Sequence, residues 1–92
     1  MKDLKHLREE IDRVNKGLVE LFIERMKISE EIGEYKREKG MKIYDKKREE
    51  EIIAETIQGT EEKYKGYVSD FLKELMKMSR DIQEGSRVKN EK

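Results

Sequence analysis

Between Asp3 and Lys39 apolar residues recur at Leu4, Leu7, Ile11, Val14, Leu18, Leu21, Ile28, Ile32 and Tyr35. The steps alternate between three and four with one gap, which is the repeat of one face of an α-helix. The pattern predicts one long helix over about 3–39, with Asp3 as its N-cap and Gly40 as its stop. Such a helix is about 55 Å long at about 1.5 Å per residue. Gly17 is a mild weakness inside it, worth about 1 kcal/mol relative to Ala. Met41 to Tyr44 reads as a short connector. Asp45 reads as the N-cap of a second helix over 46–58, with Ile52, Ile53 and Ile57 facing inward. Gly59-Thr60 is a break. A third helix is expected over 61–84, with Tyr64, Val68, Phe71, Leu72, Leu75, Met76 and Ile82 inward. Gly85 ends it, and 85–92 reads as a frayed tail.

The fold class is therefore all-α, with one long and two shorter helices per chain. Two short helices cannot cover the whole stripe of the first. A second copy with its long helix alongside is the simplest cover, so an intertwined homodimer is expected. Composition strengthens this expectation. The chain has 92 residues, 48% of them charged and 34% hydrophobic, and a single domain so small and polar is marginal by itself. The charges are interspersed at helical spacing, as on solvated helix faces, rather than blocked as in disordered segments.

Charge and residue usage narrow the chemistry. Twenty-two basic residues balance 22 acidic ones, which gives no global field for nucleic acid or an anionic membrane. No apolar run approaches a membrane span, and the polar N-terminus is not a signal peptide. A soluble cytoplasmic protein is the expectation. There is no Cys and one His, which argues against thiolate chemistry, disulfides and a zinc site.

Several polar residues interrupt the apolar pattern. The stripe runs 14, 18, 21, 25, 28, 32, 35, and position 25 is Arg25. A guanidinium on an apolar seam is costly unless paired or ligand-bound. Lys36 lies eleven residues on, about three turns and about 16 Å away, on nearly the same face. Together they can clasp one small anion. On the third helix the inward steps 68, 72, 75/76, 79, 83 end on Ser79 and Gln83, one turn apart. Around the second helix start, Asp45 is a cap, while Arg48 and Glu49 fall in the first turn. Arg8 stands beside the stripe about 25 Å before Arg25, so only a partner's Arg8, on an antiparallel helix, can reach a site near Arg25. Taken singly each has a plain structural reading: a paired Arg, a solvated Lys, a helix-contact hydrogen bond, a cap, a surface charge.

Together they form a pattern. The run Leu7-Arg8-Glu9-Glu10-Ile11-Asp12 is similar to an L-R-x-x-I-D opening. Glu24-Arg25 with Ile32-Gly33-x-x-Lys36, then Ile43-Tyr44-Asp45-Lys46-Lys47-Arg48-Glu49, then Ser79-x-x-x-Gln83 follow in order. In these motifs the chain resembles the all-helical chorismate mutases over nearly its full length. Lys42 stands where the connector of that family usually has Pro, and the Gly59-Thr60 break is shorter than in some relatives; neither touches a site position.

The resemblance implies rearrangement of chorismate to prephenate, on the route to phenylalanine and tyrosine, with no cofactor or metal. It implies that Arg25 and the partner's Arg8 bind the substrate carboxylates, assisted by Arg48 and Ser79. Lys36 and Gln83 would donate to the ether oxygen, and Glu49 with the Asp45 region would hold the ring hydroxyl. Four basic residues against two acids leave two positive charges for a dianion. The alternatives are an isochorismate-pyruvate lyase on the same scaffold and a non-catalytic helical dimerisation module.

Overall fold

The computed structural model describes residues 2–85; the tail expected past Gly85 lies outside the described residues. Helix α1 spans Leu4–Glu38, α2 spans Lys46–Gln58 and α3 spans Lys65–Glu84. The architecture is all-α, one long helix and two shorter ones. The Asp3 carboxylate accepts from the His6 backbone N–H at 2.9 Å and caps α1. That bond first, and the contact with the His6 ring second, hold the Asp3 carboxyl below the usual aspartate range. Gly40 ends the helix at φ +65°, where its lack of a Cβ lets the Met41 N–H reach back to the Lys36 carbonyl at 2.8 Å. Asp45 caps α2 by accepting from the Arg48 N–H at 3.0 Å. Gly85, at φ +72°, closes α3.

The third helix starts later than the pattern predicts. Glu61 is extended (φ −55°, ψ 141°), which stops helical bonding from reaching past it. A tight 3-10 turn over Glu62–Tyr64 follows, and the α-helix begins at Lys65.

Helix α3 packs on both α1 and α2. The long helix meets it along Phe22, Arg25, Met26, Ser29, Gly33 and Lys36, which are buried or half-buried. This face is rotated from the apolar stripe, and Arg25 belongs to it rather than to the seam on which the heptad pattern places it. The approach is closest at Gly33, where a Cβ would lie 2.6 Å from the Gln83 carbonyl oxygen. Leu75 and Met76 are the buried apolar residues among the described ones. Val68, Leu72 and Ile82 are half-buried as expected, and so are Ile52, Ile53 and Ile57 of α2. Tyr64 and Phe71 are not inward: both are exposed in the single chain, because α1 is crossed by α3 only along part of its length. For the same reason the stripe of α1 is left open to solvent, with Leu18 50% and Leu21 65% exposed.

Candidate active site

A cavity of about 370 Å³ lies where the C-terminal half of α1, the first turns of α2 and the C-terminal half of α3 converge. That is the size of a small-molecule site. Helix α1 contributes Arg25, Ser29 and Lys36, α3 contributes Ser79 and Gln83, and the start of α2 contributes Asp45, Arg48 and Glu49. Ile28, Ile32, Ile43, Ile52 and Met76 fill the wall between them. Residues up to 58 positions apart thus meet because α3 folds back along α1 and the connector swings the α2 N-terminus over their open side.

The polar groups form two sets. Ser29 Oγ and Ser79 Oγ lie 2.8 Å apart, and Gln83 Nε2 donates to Ser79 Oγ at 3.1 Å. All three residues are buried, and this chain fixes the Gln83 amide. Its Oε1 is buried without a partner. Behind it the Gln83 carbonyl accepts from Arg37 Nη1 of α1, which caps an orphan carbonyl at the end of α3. The second set is cationic. Arg25 has its Nη2 3.8 Å from Met76 Sδ, a weak acceptor, and its Nη1 is buried without a partner. Lys36 Nζ donates to the Ile43 carbonyl at 2.9 Å, which leaves two of the three ammonium donors. Among the described residues neither cation has an acidic partner. Arg48 has a loose exposed pair with Glu51 at 3.8 Å.

An unpaired buried cation is expensive. Arg25 and Lys36 stand half-buried on one cavity wall with no acidic partner among the described residues, an arrangement suited to a small anion. Seven of the eight positions singled out in the sequence (Arg25, Lys36, Asp45, Arg48, Glu49, Ser79 and Gln83) line this cavity. Arg8 does not. It is exposed on the first turns of α1, far from the cavity of its own chain.

Sequence reasoning passed over Ser29, Arg37 and Arg80, and gave Gly33 no role beyond its place in a motif. For Ser29 and Gly33 a signal exists: Arg25, Ser29, Gly33 and Lys36 follow one another at helical steps of four, four and three, a strip of polar and small residues beside the apolar one. Arg37 and Arg80 carry no such signal in a chain rich in basic residues.

The sequence model of the type II chorismate mutases matches residues 7–84, nearly the whole described chain. The chain belongs to the chorismate mutase type II family. Its similarity extends to curated proteins. It is 38% identical over 66 residues to the bifunctional chorismate mutase/prephenate dehydratase of Aquifex aeolicus, covering 72% of this chain and 18% of that protein. It is 39% identical over 49 residues to the T-protein of Haemophilus influenzae, covering 53% of this chain and 13% of the relative. With the T-protein of Enterobacter agglomerans the identity is 38% over 52 residues, 56% of this chain and 14% of that one. The chain spans less than a fifth of the length of each of these relatives. The chorismate mutase match includes all eight polar positions, Arg8 to Gln83.

Proposed function

We propose that this chain rearranges chorismate to prephenate within the cavity, as a homodimer. The observation that carries the reading is the half-buried Arg25 guanidinium, whose Nη1 is buried without a partner, lining the same cavity as Lys36, Arg48 and Gln83. The reaction is an intramolecular Claisen-type rearrangement. One carbon–oxygen bond breaks as one carbon–carbon bond forms, and no group leaves. The protein's work is to select the compact conformer in which the reacting carbons meet and to stabilise negative charge growing on the ether oxygen.

Arg25 and the partner subunit's Arg8 take the two carboxylates. Arg48 assists, and so does Ser79, whose own proton is free when Ser29 and Gln83 both donate to its oxygen. Lys36, with its two remaining N–H groups, and the second N–H of Gln83 donate to the ether oxygen. Glu49 and the Asp45 end of α2 receive the ring hydroxyl. The dimer is part of the proposal because it supplies Arg8 and covers the open stripe of α1. An aqueous cytoplasmic setting belongs to the same reading; no helix among the described residues is long and apolar enough to cross a membrane.

The test is direct. Purified protein at neutral pH, with no added metal or cofactor, is given chorismate, and the loss of chorismate absorbance is followed while prephenate and pyruvate are assayed. Prephenate well above the spontaneous rate is expected. A folded protein without turnover overturns the proposal, and pyruvate released from isochorismate assigns the lyase reaction instead.

A further inference from the structure

Glu49 presents a difficulty. It is a carboxylate on the wall of a cavity whose other charged groups include Arg25, Lys36 and Arg48. An unrestrained glutamate there has every electrostatic reason to fold onto one of those cations. It would then neutralise a charge that a dianionic ligand needs. Asp45, the other acid of the cavity, is not in this position, because its carboxylate is occupied in capping α2.

What restrains Glu49 is outside the cavity. Arg80, on α3, is absent from the lining, yet its Nη1 donates to Glu49 Oε1 at 2.5 Å. The two residues are 31 positions apart, and their side chains are 32% and 19% exposed. The guanidinium is itself fixed from another side, since its centre lies 4.8 Å from the centre of the Tyr44 ring, in the connector just before α2. The Glu49 hydrogen bond raises the Arg80 pKa further above an already high value, so this cation stays charged at every working pH. Arg80, Tyr44 and Glu49 thus tie α3, the connector and the first turn of α2 into one corner.

Resting on the mutase reading, we infer that Arg80 is a positioning residue for the reaction: from behind the wall it holds Glu49 in place for the substrate hydroxyl and keeps that carboxylate off the cations reserved for the substrate carboxylates. It touches no reacting atom. Its effect passes wholly through Glu49, and the loss on its removal falls on substrate binding, because the carboxylates and hydroxyl are held in ground state and transition state alike.

The experiment is a double-mutant cycle on chorismate turnover with the full chain. Arg80→Met removes the charge but keeps a stem against Tyr44. It is expected to raise KM about tenfold with kcat changed less than about twofold. Arg80→Lys, which restores a cation without the fork, recovers part of that loss. In a Glu49→Gln background, itself impaired, Arg80→Met produces no further rise in KM. Should Arg80→Met fail to fold, Tyr44→Leu, which withdraws the ring from the guanidinium, is expected to give a smaller KM rise that likewise vanishes with Glu49→Gln. Three results overturn the inference while leaving the mutase reading intact: wild-type KM in a folded Arg80→Met protein (or, where that variant does not fold, in Tyr44→Leu), the same rise with or without the Glu49 carboxylate, or Glu49→Gln with wild-type kinetics. Absence of chorismate turnover in the folded wild type overturns both.

Discussion

Among the described residues, Arg25 and Gln83 are the two side chains with a buried polar atom that lacks a partner, and both line the cavity. The geometry of each yields a different expectation. Arg25 offers a planar fork, which a lysine cannot reproduce even with the same charge. Arg25→Lys is expected to lower kcat/KM at least ~100-fold, about 2.7 kcal/mol of transition-state stabilisation. Steady-state kinetics on chorismate check this, and near wild-type activity removes Arg25 from the site. Gln83 is an amide and donates at any pH, so wild-type activity is expected to be flat across neutral pH. In Gln83→Glu the same position donates only when protonated. Its activity is present below the pKa of the new carboxyl and lost as the pH rises through it. A pH–rate profile of the variant should rise toward acid, and a flat one sinks the assignment of Gln83 to the ether oxygen.

Among the elements, the contact of α1 with α3 decides the site. Gly33 permits it: an added Cβ would sit 2.6 Å from the Gln83 carbonyl oxygen and 2.8 Å from its Cα. These are backbone atoms and cannot swing aside. Gly33→Ala is therefore expected to push the end of α3 away from α1. That loosens the Arg37 clamp on Gln83 and destabilises the fold by roughly 1–3 kcal/mol. Thermal melts and chorismate kinetics measure both effects. Unchanged stability with unchanged activity means that the helices do not approach so closely. The glycine of the Ile32-Gly33-x-x-Lys36 motif thus has a steric reason, and that reason was not legible in the sequence because the opposing residue is 50 positions away.

For the whole molecule, the governing fact is how little one chain covers. Leu75 and Met76 are the buried apolar residues among those described, while Leu7, Ile11, Val14, Leu18 and Leu21 stand open along α1. Apolar area of this extent facing water is destabilising until something packs on it. A homodimer is expected by light scattering. Function tests the arrangement more sharply. Inactive Arg8→Ala and Arg25→Ala chains, mixed and re-equilibrated, pair at random. Roughly a quarter of the sites then contain one intact Arg25 and one intact partner Arg8. Recovery of that order supports Arg8 acting across the interface. No recovery, with subunit exchange demonstrated, excludes it.

The sequence by itself determined the class, the three helices and their ends, except the start of the third. Those are local properties: a repeat of three and four, Asp3 and Asp45 as caps, Gly40 and Gly85 as stops. It also marked Arg25, Lys36, Ser79 and Gln83 by the misfit of polar groups in an apolar rhythm. Tertiary structure decided which side of α1 meets α3, and so moved Arg25 off the seam and left Tyr64 and Phe71 exposed. It also brought Ser29 to Ser79, Arg37 to Gln83 and Arg80 to Glu49 across 31 to 50 positions of chain. Periodicity cannot supply those pairs, because it fixes the angle of a residue about its own helix and says nothing of how far two helices are rotated and slid against each other.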